Sequence, residues 1–96
     1  MKKTEKLIKM LSHLKEGEGI DLAEDTFLCT GGLDGSDKIY GFKKENDELL
    51  VVSREVSDGY PVRDMDKDDL HYMFGLSSIS KKIEKKEYEV VDGEDI

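Results

Sequence analysis

Soft metal ligands, disulfide partners and long apolar runs are what this sequence of 96 residues has least of. It carries one cysteine, Cys29, and two histidines, His13 and His71. A lone thiol excludes an internal disulfide, and so small a ligand set does not make a structural zinc site. No stretch approaches the roughly 18 consecutive apolar residues of a membrane span, and the N-terminus lacks the apolar run of a secretory signal. These absences predict a cytoplasmic protein that touches no membrane and holds no metal or cofactor. Proline also occurs once, at Pro61, and confines its neighbourhood to a sheet edge or a turn.

What the chain does have is charge. Charged side chains make up 40% of it, against about 25% in an average domain. That excess raises the question of disorder, but ten leucines, six isoleucines, six valines and three phenylalanines supply enough strong core formers to fold. The inventory fits one α+β domain over residues 1–88, with 89–96 as an acidic tail or a short strand. A domain this small carries only about 5–10 kcal/mol of net stability, so burying more apolar surface in a homodimer is one open alternative.

The net charge of −8 is unevenly placed. Residues 1–15 sum to +4, residues 16–75 to −10 and residues 76–96 to −2. An acidic middle repels phosphate backbones, which argues against direct nucleic-acid binding there and favours a basic protein partner.

The apolar spacing predicts the elements. Leu7, Ile8, Leu11 and Leu14 share one face of a helix of about three turns, with Thr4 as N-cap and Gly17 and Gly19 as the stop. Thr26–Thr30 reads as a strand ended by Gly31-Gly32, with Ile20–Leu22 as a short strand before it. Lys38–Lys43 is a second strand, in which Gly41 marks a bulge or a close backbone approach. Glu45–Glu48 turns the chain into Leu49–Val56, whose first half is apolar on both faces like a strand near the middle of a sheet. Asp58-Gly59 is a hairpin signal that returns Tyr60–Arg63 as an edge strand. Asp66 caps a helix from Lys67, with Asp68 and Asp69 in its favoured first turn. Gly75 bends or breaks this helix before Leu76, Ile79 and Ile83. The expected fold is therefore an N-terminal helix, a three- to four-stranded antiparallel meander, and a C-terminal helix or bent helix pair packed on one sheet face.

Candidate chemistry is thin. The run Asp64-Met65-Asp66-Lys67-Asp68-Asp69 opens like a calcium loop, but its sixth position is Asp69 where glycine is needed, and its twelfth is Gly75 where a bidentate glutamate is needed. Helix capping explains the run better. Gly31, Gly32 and Gly35 lack the lysine and hydroxyl residue of a phosphate loop, and Lys38 starts a strand where a helix would be required. Cys29 with His13 or His71 lacks an orienting group, and Cys29 sits in an apolar strand where a buried hydrophobe is the usual role. The lysines of the terminal helices have no interleaved aromatics, and those of the second alternate with Glu84 and Glu87, so they read as a solvated face. No catalytic residue is assigned.

The reading favoured by the sequence is a non-catalytic interaction protein whose Asp58, Tyr60, Asp64, Asp66, Asp68 and Asp69 meet a basic protein partner. Its sharper form is an inhibitor mimicking nucleic acid, with carboxylates where a nucleic-acid-binding protein expects phosphates. Two alternatives stand beside it. One is a homodimeric assembly module using an exposed sheet edge or the patch Leu70, Met73 and Phe74. The other is a small ligand-binding domain or enzyme built on the Gly31–Ser36 loop.

Overall fold

The structure is a computed structural model that describes residues 2–28, 36–76 and 78–96. Cys29 and the Gly31–Gly35 part of the glycine loop lie outside the described residues. An N-terminal helix, an antiparallel sheet and C-terminal helices packed on that sheet make an α+β fold.

Helix α1 (Lys2–Leu11) buries Leu7 and Leu11, with Ile8 and Leu14 partly buried against the same core, as the apolar spacing predicts. Two details differ. Thr4 lies inside the helix and is buried, so it is no N-cap. The helix also ends at Leu11, well before Gly17, in a tight turn where the Ser12 N–H and hydroxyl both donate to the Ile8 carbonyl. Gly17, in the left-handed region at φ 84, instead leads into the sheet.

The sheet has five strands where the sequence suggests three or four. Their order is β4 (Tyr60–Pro61), β3 (Glu48–Ser53), β2 (Ser36–Glu45), β1 (Glu18–Leu28), β5 (Glu89–Asp92), and every neighbour is antiparallel. The first four form the expected meander. The fifth is the stretch Glu89–Asp92, which returns to pair with the start of β1, Ile20 opposite Val90. Residues 89–96 read in the sequence as an acidic tail or a short strand; the strand is the one formed, over Glu89–Asp92, and its pairing partner lies too far away in the chain to be read locally.

Strand β1 joins what reads as two strands into one, because an irregularity between Asp21 and Asp25 absorbs the break. Ala23 and Glu24 both take left-handed φ there, 56 and 63, and the Ala23 N–H donates to Asp21 Oδ1 at 2.8 Å. Between β2 and β3, Asn46 and Asp47 are left-handed in succession, φ 55 and 60, the turn whose twist suits a hairpin. Strand β3 stops at Ser53, short of Val56, because the Ser53 hydroxyl accepts from the Val56 N–H and folds the chain back.

The C-terminal helical stretch is neither one regular helix nor a simple pair. A short α2 (Lys67–Leu70) continues into a π-helical turn, His71–Leu76, and α3 (Ser78–Glu84) follows. Wider winding lets Met73 and Phe74, adjacent in sequence, both become fully buried. Phe74 stacks on Phe42 of β2 with ring centroids 5.8 Å apart. Leu7, Leu11, Ile20, Leu22, Ile39, Val51, Val62, Ile79 and Ile83 complete the core between helices and sheet. Ile39 and Phe42 both reach it because the β2–β3 register shifts between Ile39 and Gly41. Lys82 fixes α3 to β1: its ammonium donates to the Leu22 carbonyl at 3.1 Å and lies 3.1 Å from Asp25 Oδ2.

The second sheet face is covered by the chain's own end. After β5 a 3-10 turn, Gly93–Asp95, carries Ile96 across Gly19 and Gly41. A Cβ on Gly41 would collide with the Ile20 carbonyl oxygen, so that position requires glycine for close approach, whereas one on Gly19 would meet the tip of the Ile96 side chain. Val52, the register partner of Gly41, is buried on this face. No helix among the described residues is long and apolar enough to cross a membrane.

Candidate functional site

The acidic stretch 58–69 leaves β3 through a turn at Asp58-Gly59, forms β4, and winds through a 3-10 turn (Val62–Asp64) into α2. Gly59, at φ 102, supplies the positive φ that the turn requires. Pro61 ends β4 after two residues. Inward anchors alternate with outward acids: Val62 is buried and Met65 and Leu70 pack partly against the core, while Asp64, Asp66 and Asp68 are exposed.

Asp66 caps α2 as expected, its Oδ1 accepting from the Asp69 N–H at 2.9 Å. The Tyr60 hydroxyl donates to the Asp64 carbonyl at 3.2 Å, bracing the turn, and the residue remains 40% exposed. Asp58 is exposed and Asp69 is half-buried. All six residues singled out in the sequence thus lie along one continuous surface segment.

Their electrostatic setting differs from that of the ion-paired acids in the middle of the chain. Glu24 pairs with Lys38 at 3.8 Å, Glu45 with Lys43 at 3.3 Å, Asp47 with Lys44 at 3.8 Å, and both Asp37 and Glu55 with Arg54 at 3.9 Å. Such pairs add little stability, but each cancels much of its own field. In the 58–69 stretch Asp64 is answered in this way, by Arg63 at 3.8 Å, while Arg63 also lies 2.6 Å from Glu48 Oε1. That shorter contact is off the N–H axis, a charge contact without an aligned hydrogen bond. No basic group among the described residues comes within 4.0 Å of Asp58, Asp66 or Asp68. The −10 of residues 16–75 already counts the bases in these pairs; the carboxylates they leave unanswered include Asp58, Asp66 and Asp68 on this stretch, and Glu16, Glu18 and Asp21 elsewhere.

Beside it lies a groove of about 520 Å³ with an apolar floor of Ile8, Leu49 and Val62 and a charged rim of Asp47, Glu48 and Arg63. Its wall at the β2–β3 turn is clamped by Glu16, whose carboxylate accepts the Asn46 N–H at 2.6 Å and the Asp47 N–H at 2.8 Å. The Asp47 N–H, then the Asn46 N–H, and more weakly the Lys44 charge hold the Glu16 carboxyl below the usual carboxylate range. Sequence reasoning missed this groove because its floor comes from α1, β3 and the 3-10 turn, and no local pattern joins them.

The remaining candidates separate. His71 is exposed, with its ring 5.9 Å from that of Tyr72, and His13 lies at the opposite end of the sheet beside β5. The proposed dimer patch is not available in this fold, since Met73 and Phe74 are fully buried beneath the helices. Among the described residues no group of three or more histidine, cysteine, aspartate or glutamate side chains is placed to hold a metal ion. No family model matches the chain, and neither a curated protein nor a solved structure does.

Proposed function

We propose that this chain is a non-catalytic interaction protein that binds a basic protein partner through its 58–69 edge. The observation that carries the reading is the set of exposed carboxylates of Asp58, Asp66 and Asp68, which no described basic group answers. Tyr60, half-exposed in their midst, adds an aromatic anchor of the kind that supplies binding energy inside a charged rim. The neighbouring groove offers an apolar floor for the stem of a lysine or arginine whose charged end would share Asp47 with Lys44 or Glu48 with Arg63. A partner whose cationic surface otherwise takes phosphate fits the same description.

Poly-L-lysine serves as the test probe. The chain is expected to bind it about tenfold more weakly at high than at low salt. The double variant Asp58→Lys/Asp68→Lys is expected to lose a further factor of about ten while keeping its stability within about 0.5 kcal/mol, since both side chains are exposed. An equal reversal at the ion-paired Glu24 and Glu55 should weaken binding less. Equal loss from both double variants, or binding indifferent to salt, overturns the assignment.

A further inference from the structure

Strand β5 forms the second edge of the sheet, at the opposite end from the acidic stretch. Its register with β1 determines which backbone groups it leaves open. The Gly93 N–H donates to the Gly17 carbonyl at 2.8 Å, and pairing continues with Val91 opposite Gly19 and Glu89 opposite Asp21. Antiparallel pairs alternate between bonded and non-bonded, so Val91 and Glu89 turn their backbone groups toward β1, and Val90 and Asp92 turn theirs outward. The Asp92 carbonyl caps the 3-10 turn Gly93–Asp95, which leaves the Val90 N–H and C=O and the Asp92 N–H open.

The side chains complete the surface. Val90, on the helix-facing side of the sheet, is 55% exposed. It borders a groove of about 430 Å³ whose apolar lining of Met10, Leu14, Ile20 and Tyr88 is joined by His13, Glu18 and Lys86. Natural edges are usually blunted by proline, lysine or a covering element, and β5 has neither residue.

Charge selects the occupant. Residues 87–96 contain Glu87, Glu89, Asp92, Glu94 and Asp95 and no lysine or arginine, and Glu18 stands opposite Asp92. A second copy pairing antiparallel through the same edge would lay two such segments, five acids each and no base, side by side, where like charges repel. Nucleic acid is repelled for the same reason.

We propose that β5 is an acceptor edge: an extended segment of a partner protein, alternately apolar and basic, adds to the sheet outside β5 and seats an apolar side chain beside Val90 in the groove. Its backbone pairs with the N–H and C=O of Val90 and the N–H of Asp92, while its lysines or arginines, which alternation places on the other face, meet Glu89. This site stands independently of the 58–69 edge.

The probe is a fluorescent peptide of alternating valine and lysine. Two controls accompany it, one with proline at alternate positions to remove the backbone donors and one with glutamate replacing lysine. The first peptide is expected to bind and slow amide exchange at Val90 and Asp92, with both controls weaker by about tenfold or more. Val90→Pro deletes an outward donor without touching the β1 ladder and should lose binding. Val90→Lys should lose it too, by repulsion at an unaltered backbone. The Asp58→Lys/Asp68→Lys chain should still bind this peptide, which separates failure here from failure of the acidic-edge reading. Absence of binding, equal binding of the proline control, or unchanged exchange at Val90 and Asp92 overturns the proposal. Sedimentation showing a dimer with those amides protected would overturn it in favour of a second copy.

Discussion

The two edges of this sheet are closed by different means. At β4 the edge is two residues long, contains Pro61 and runs at once into a 3-10 turn pinned by buried Val62. At β5 it is four residues long, has neither proline nor lysine, and exposes Val90 beside a groove. Covalent restriction of the backbone closes the first against any strand. Negative charge guards the second, and charge discriminates: it turns away acidic and identical strands while attracting basic ones. The acids at the two ends accordingly serve different surfaces. Those at 58–69 are displayed on turns and a helix start, whereas those at 87–96 border an open backbone ladder.

The most severe way to break this contrast is Gly41→Val. The new side chain would strike the Ile20 carbonyl and Ile96, forcing β1 and β2 apart and lifting the terminal turn that backs β5. Urea unfolding should show a loss of about 3 kcal/mol, or no folded protein at all. If the chain unfolds normally with little loss, the close approach at Gly41 is not what holds the terminal turn in place.

A milder test addresses the other end. Asp66→Ala removes the cap on the Asp69 N–H and should cost about 1 kcal/mol in thermal or urea denaturation. Peptide-induced protection at Val90 should survive it. Loss of that protection would mean that the two edges are coupled.

The smallest effect is expected from Pro61→Ala, at most about 1 kcal/mol from greater freedom of the unfolded chain. The variant sharpens the comparison, because it restores a backbone donor to β4 without lengthening the strand. Sedimentation should show no new association. A dimer would show that proline, and not shortness, seals that edge.

Much of this architecture was legible because its chemistry is local. The apolar spacing of α1, the Asp58-Gly59 turn, the edge placement of Pro61 and the Asp66 cap each rest on a few neighbouring residues, and each is found. Gly41 read as a bulge or a close approach, and it is both. The misses involve distance. Thr4 has the composition of a cap but lies within the helix, buried. Ala23 and Glu24 hold left-handed φ without glycine, in a chain whose α3 reaches back through Lys82 to the same bulge. In the candidate site the six acidic-edge residues were readable because they follow one another along the chain. Ile8, Leu49 and Glu48 were not, since three separate elements bring them to one groove.

Side-chain spacing and turn chemistry determined, without any coordinates, that this chain makes a helix, a meander and a capped helical segment, because those preferences act over a handful of neighbouring residues. Tertiary structure decided which carboxylates are cancelled by a cation and which stand open, because pairing depends on separations of a few ångströms between residues far apart in sequence. It also decided that Glu89–Asp92 becomes a fifth strand with a free edge, since a strand's partner is chosen by the surface that remains to be paired once the rest of the sheet has formed.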